Sequence, residues 1–252
     1  EGPNGLVRAT GVTVKDWNEI YIPSIVEKKL FMIDSTGTVK KKYDFTADDD
    51  VYYVHNSSWY PLVILGSKMY SFQTPQRNPA TGGLKASPTE VCVDLSTMES
   101  TVSECLLPEA VLKETEGKVI LPEELVTCSR VYNGQDFVYG YHYDDHLTVL
   151  DPSLKKKGSY KVASKYIGTV QIPSISKELD MNGMRLIQCT NACFGELVHD
   201  PYRHLYYRFV YPETELDEKD PSWRDLVLSG RNVFSVQVID EKFNLVGETL
   251  FP

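Results

Sequence analysis

One phrase recurs four times along this chain: an apolar strand ending in Asp, a tight turn, and a second strand. It reads FMIDSTGTV at 31–39, VCVDLSTME at 91–99, TVLDPSLKK at 148–156 and VQVIDEKFNLVGE at 236–248. A strand pair precedes each copy: GVTVKDWNEIYIP at 11–23, LVILGSKMYSF at 62–72, RVYNGQDFVYGYHY at 130–143 and GELVHDPYRHLYYRFVY at 195–211. Each unit therefore holds four short strands with period-two alternation and turn residues between them. A sheet of this size cannot bury both faces by itself, so it needs neighbours of its own kind. A four-stranded unit repeated every several tens of residues predicts an all-β fold, a β-propeller of four-stranded antiparallel blades. The blades fall near 11–45, 61–107, 126–162 and 189–251 of a single 1–252 domain, as a closed ring or as an arc of a six- or seven-bladed one. A β-sandwich also alternates strands with turns, but it has no reason to repeat Asp, turn and strand in phase.

Composition supports half-buried strands: 42% of residues are hydrophobic and 16 are Tyr, a side chain with an apolar body and a polar tip. The formal charge of −9 argues against nucleic acid as a partner, because phosphate contacts need clustered Lys and Arg. The runs Lys40-Lys41-Lys42 and Lys155-Lys156-Lys157 follow strand turns and read as solvated, edge-protecting lysines. No apolar run approaches the roughly 18 residues that span a bilayer, so the segment is expected to be soluble and mature as it stands.

Two long insertions separate second from third strands, QTPQRNPATGGLKASPTE at 73–90 and PETELDEKDPSWRDLVLSGR at 212–231. Their Pro, Gly, Ser and Thr content reads as surface loop. An acidic, aromatic connector (46–60) joins the first two blades, and short helical turns are expected within 108–125. In a propeller, loops between second and third strands and between blades share one face. His55, Trp59, Arg77, Trp223, Arg224 and Arg231 are therefore the candidate ligand-binding set, suited to a glycan, peptide or anionic group.

Catalytic and metal readings find less support. YHYDDH at 141–146 groups His142, Asp144, Asp145 and His146 around a turn, as His199, Asp200 and His204 do in the fourth blade, and both sets read as turn-formers. Familiar nucleophile, zinc, phosphate and calcium motifs are absent from the sequence, so no catalytic residue, metal or cofactor is assigned. Propellers do assemble sites from distant loops, which leaves a glycan-active hydrolase or lyase with paired carboxylates as an alternative. A purely structural subunit of an envelope complex is another. Cys92 and Cys105 would face each other across a hairpin centred near Met98, where a disulfide could form, while Cys189 and Cys193 read as thiols rather than a metal clip.

The EGPNGL opening, the NEIYI…KLFMIDSTGTV blade and the closing DPYRHLYYRFVYP…FSVQVIDEKFNLVGETLFP resemble a family of uncharacterised β-propeller lipoproteins of gut-type Gram-negative bacteria, related to TolB-like six-bladed propellers. The resemblance spans essentially the whole chain. It rests on turns and strands, so it speaks to fold rather than chemistry. It implies a non-catalytic binding or scaffold domain at the periplasm or outer-membrane surface, with further blades beyond both ends. A membrane would be reached only through a lipid anchor that this segment does not carry.

Overall fold

A computed structural model describes residues 8–54, 56–78, 80, 84–115, 119–120, 128–170, 172, 174–175, 186, 190–215, 231 and 233–252. They group into two compact units, one formed by 1–74, 87–106 and 153–155 and the other by 75–86, 107–152 and 156–252.

The first unit carries two four-stranded antiparallel sheets. In the first, β1 (Thr13–Asp16), β2 (Glu19–Ser24), β3 (Lys29–Ile33) and β4 (Val39–Asp44) pair in sequence order as a meander. The second uses β5 (Val63–Leu65) and β6 (Lys68–Phe72), and is completed after the long insertion by two later strands. That insertion contains a small hairpin of β7 (Gln76–Arg77) and β8 (Leu84–Lys85), and the completing strands are β9 (Glu90–Asp94) and β10 (Ser100–Val102). Tyr21, Leu30 and Tyr43 of the first sheet share a buried cluster with Met69, Val91 and Val93 of the second and with Val51 and Val54 of the connector. The connector is fastened by Gln73, which is buried: its Oε1 accepts the amide N–H groups of Tyr52 at 2.9 Å and Tyr53 at 3.1 Å, and its Nε2 donates to the Tyr53 carbonyl at 3.0 Å. The base of an expected surface loop is thus a buried hydrogen-bonding node, because the connector's amides need acceptors once water is excluded.

In the second unit a short helix, α1 (Glu109–Thr115), forms where helical turns were expected, and β11 (Val119–Ile120) pairs with a later strand. The third sheet is β12 (Cys128–Tyr132), β13 (Phe137–Tyr141), β14 (His146–Leu150) and β15 (Lys156–Lys161). After β16 (Ser174–Ile175), the partner of β11, the fourth sheet comprises β17 (Cys193–Asp200), β18 (Leu205–Tyr211), β19 (Phe234–Asp240) and β20 (Leu245–Phe251). Val138, Leu147 and Val149 pack against Leu197, Tyr206 and Ile239 between these two sheets.

The recurrent Asp has a direct structural cause. Asp34 accepts the amides of Thr36 and Thr38, Asp94 that of Ser96, and Asp240 those of Lys242 and Asn244, all at 2.8–3.0 Å. These hydrogen bonds favour the carboxylate and hold all three acids below their ordinary pKa, with the neighbouring Lys40 the leading cause at Asp34, Ser96 at Asp94 and Asn244 at Asp240. Each turn then passes through a left-handed residue: Gly37, Met98, Leu154 and Phe243. Only the first of these is glycine. Phe243 accepts the strain, of order 1 kcal/mol, because its ring stacks on Tyr160 at 4.5 Å and Tyr206 at 5.5 Å.

The hairpin register also decides the cysteine question. Cys92 pairs with Thr101, and Cys105 lies beyond the end of β10, so both are free thiols and the expected disulfide is not formed. The lysines of β4 sit on an edge strand as expected, Lys42 lying over the Phe31 ring and Lys41 over Tyr43.

Candidate functional site

Of the six expected ligand residues, His55, Trp223 and Arg224 lie outside the described residues, as does Cys189. Trp59 is half-buried in the connector of the first unit. Arg77 belongs to β7, where its backbone pairs with Leu84, and Arg231 precedes β19 in the second unit.

Arg231 anchors the most chemically varied cluster. Its Nη1 donates to the Pro212 carbonyl at 3.1 Å and the Tyr211 carbonyl at 3.4 Å, and its guanidinium lies over the Tyr211 ring at 5.2 Å. Tyr211 in turn donates its hydroxyl to Glu196 Oε2 at 3.2 Å. Burial, followed by the charge of Glu196, pushes the Tyr211 phenol above its ordinary pKa, and burial does the same to Tyr143. A cation, a phenol and a carboxylate thus meet where β17 begins and β18 ends.

Two backbone features make that meeting possible. The β17–β18 register shifts between Phe194 and Leu197, a bulge that re-aims the strand end. Within it, a Cβ on Gly195 would lie 2.4 Å from the Tyr211 ring and 3.1 Å from the Cβ of Phe209, so only glycine lets the ring cross the strand.

Behind the cluster, Arg208 is completely buried. Its Nη2 donates to the carbonyls of Tyr141 and Asp144, both at 2.8 Å, tying the β13–β14 turn to the fourth sheet. Nε and Nη1 have no hydrogen-bond acceptor, and the Phe194 ring covers the guanidinium at 3.7 Å instead. Desolvation brings Arg208 down to about 9, opposed by the charges of Asp144 and Asp145. Gly140 leaves its passage open, since a Cβ there would sit 3.3 Å from Arg208 Nε.

The charges of both arginines bear on His142. The residue as a whole is half-buried, while its Nε2 is shut away from water. Burial and then the charges of Arg208 and Arg231 lower its pKa to about 3, so the ring is neutral at physiological pH. Asp144, Asp145 and His146 bring three potential metal donors within 4.8 Å of one another. Here the His146 Nδ1 lies 2.9 Å from both Asp carboxylates and Lys161 approaches Asp145 at 3.3 Å, so these groups already partner one another around a turn.

The first unit holds a groove of about 440 Å³ lined by Gly11, Val12, Thr13, Asn56, Ser57, Ser58, Pro61 and Leu62. Asn56 organises it: its Nδ2 donates to Thr13 Oγ1 at 3.0 Å, its Oδ1 accepts the Leu62 amide at 2.9 Å, and its own amide donates to the Thr10 carbonyl at 3.0 Å. Gly11, at φ +89°, passes so near that an added Cβ would meet the Asn56 carbonyl oxygen at 2.9 Å. The connector was expected to contribute through His55 and Trp59. Among the described residues the groove is lined by the small polar Asn56, Ser57 and Ser58, which carry no signal in the sequence beyond an Asn-Ser-Ser turn composition.

Four meander sheets with Asp-anchored turns define an all-β protein of the propeller class. Residues 1–250 match the model of the family described as Domain of unknown function (DUF4221), and the chain belongs to that family. A solved DUF4221 member from Bacteroides vulgatus is similar over all of this chain and 69% of its own, with a TM-score of 0.74 and 22% identity. Virginiamycin B lyase from Staphylococcus aureus aligns with 96% of this chain and 69% of its own at a TM-score of 0.36 and 11% identity. The β-propeller domain of Cps50 (Swd1) from Myceliophteria thermophila aligns with 98% of this chain and 88% of its own at a TM-score of 0.30 and 14% identity. At those scores neither carries an argument about this chain. No curated protein matches it.

Proposed function

We propose that this chain is a non-catalytic binding or scaffold domain of a cell-envelope propeller, and that it takes an anionic glycan or peptide on its inter-blade and second-to-third-strand loops. The observation that carries this reading is the Arg231 cluster: an arginine held by two backbone carbonyls over Tyr211, whose hydroxyl is fixed by Glu196. Such an arginine is positioned before a ligand arrives, so little side-chain entropy remains to be lost on binding. The described acids Asp34, Asp94, Asp200 and Asp240 serve as acceptors for turn amides, a structural role rather than acid–base chemistry. Lipid anchoring and residence at the periplasmic or outer-membrane surface belong to the same proposal and rest on family resemblance.

A thermal-shift series with neutral and acidic oligosaccharides and peptides tests the reading, since a ligand that binds only the folded state raises Tm by mass action. An acidic ligand is expected to raise Tm, and Arg231→Ala to remove the rise. A rise that survives Arg231→Ala, or that is confined to neutral ligands, places binding elsewhere.

A further inference from the structure

An outer strand presents a row of backbone N–H and C=O groups on its far edge, a template for association unless something blunts it. Among the described residues no strand pairs with the far edges of β4, β10, β15 or β20. Three of these edges are blunted. β10 is only three residues long, β4 carries Lys40, Lys41 and Lys42, and β15 carries Lys156, Lys157 and Lys161. β20 has seven residues, LVGETLF, with neither Lys nor Pro. The contrast is sharpest at one equivalent position. In the first, third and fourth sheets the last hairpin is bulged, and the register skips one residue of the outer strand: Lys40, Lys157 and Val246. Both lysines are exposed and paired with an acid, Lys40 with Asp34 and Lys157 with Asp136. Val246 stands in their place 64% exposed, and Leu250 and Phe251 further along the strand are 36% and 44% exposed. Phe251 also ends an aromatic ladder. Its ring stacks on Phe234 at 5.1 Å and Phe234 meets Phe209 at 5.7 Å, so β18, β19 and β20 contribute one ring each and the last stands at the edge.

We propose that β20 is a dimerisation edge, which pairs antiparallel with β20 of a second copy of this chain so that two blades form one continuous sheet across a two-fold axis. Charge selects that occupant. A two-fold axis sets a strand against itself, so an exposed charge near the axis meets its like. The lysines oppose such pairing at β4 and β15. The charged residue of β20 is Glu248, and it is turned into its own blade: buried, it accepts the hydroxyls of Ser164 and Ser235 and the amide of Lys165, all at 2.7 Å. The exposed remainder, Val246, Thr249, Leu250 and Phe251, is uncharged and therefore compatible with itself. Antiparallel pairing also brings the Val246 end of one strand against the Leu250–Phe251 end of the other, so each apolar end is covered by its complement while the backbone groups supply the hydrogen bonds.

Sedimentation equilibrium and amide hydrogen exchange on the chain test this. The expected result is a monomer–dimer equilibrium in which the β20 amides exchange more slowly as concentration rises. Val246→Lys gives the fourth sheet the residue that the first and third already carry at this position, so the circular dichroism spectrum should not change. It should raise the dimer Kd roughly tenfold or more, and Thr249→Lys on the same edge should act likewise. Tyr202→Lys, at a 91% exposed position in the β17–β18 turn away from the edge, should leave Kd unchanged. A chain that stays monomeric up to about 1 mM overturns the proposal. So does a dimer that both edge lysines leave intact, or one whose β20 amides exchange as fast as the monomer's. Protection of those amides that does not vary with concentration overturns it too, since another segment of the same chain would then cover the edge.

Discussion

β13 and β18 are both second strands of their blades, yet they are buried differently. All five residues of β13 are enclosed, whereas β18 buries every second residue and leaves Leu205, Tyr207, Phe209 and Tyr211 half-open. The residue types hardly differ: FVYGY against LYYRFVY. Burial in a stack of sheets is therefore set by what lies on either side of a strand more than by the strand's own alphabet. The polar residues follow the same rule from the opposite direction, since Arg208, the charged residue of β18, is on the closed face with Tyr206 and Val210, while Tyr207, Phe209 and Tyr211 occupy the open one.

The comparison can be broken most severely in the closed layer. Leu147→Ala removes a fully buried side chain from the cluster between the third and fourth sheets and should cost about 2–5 kcal/mol in urea unfolding. A loss under about 1 kcal/mol would mean that the layer repacks and the closed face is no more specified than the open one. Next in size is Gly195→Ala, whose Cβ must displace the Tyr211 ring. It should destabilise by about 1–3 kcal/mol and weaken any ligand that depends on Arg231, read as a reduced thermal shift.

A smaller effect, read through pH, comes from His142. Its folded pKa of about 3 lies below the unfolded value near 6.5, so the unfolded chain binds the proton more readily between those values. Stability from this residue is complete above about pH 6.5 and is lost as pH falls toward 3. His142→Gln should flatten the Tm profile between roughly pH 6.5 and 5; an unchanged slope would assign the acid sensitivity to other groups. Carboxylates such as Asp34 and Asp240, with lowered folded pKa values, act in a separate window: their contribution is present above about pH 4 and is lost on further acidification. The smallest change is expected at a strand position that is already exposed, where Val14→Thr, 62% open to solvent in β1, should stay within about 0.5 kcal/mol.

Much of this was legible in the primary structure because it is local. An Asp followed by small polar residues must satisfy nearby amides, and Asp34, Asp94 and Asp240 do so with the strands on either side in the expected places. Alternation placed four sheets, the long insertion before β9 and the short helix at Glu109–Thr115. The candidate site was legible only as loop composition. Arg231 was singled out for its charge in an insertion, but Tyr211, Glu196 and Tyr143 stood unnoticed inside ordinary strand or turn sequence. His142, passed over as a turn residue, is the group whose titration is most displaced by its surroundings among the described histidines.

Chemistry carried within a few residues was thus determined by the sequence alone: strand period, Asp-anchored turns, edge lysines, and the family to which residues 1–250 belong. Tertiary structure decided the rest, because each depends on partners distant along the chain. Hairpin register set Cys92 against Thr101 instead of Cys105. Aromatic packing holds Phe243 in a left-handed conformation that its own backbone disfavours. A bulge and a missing Cβ at Gly195 bring Tyr211 across its strand, and a ring 3.7 Å from Arg208 shelters a guanidinium that no local rule would bury. Local hydrogen bonds are written in order along a chain, whereas burial is a property of neighbours, and neighbours exist only once the sheets have stacked.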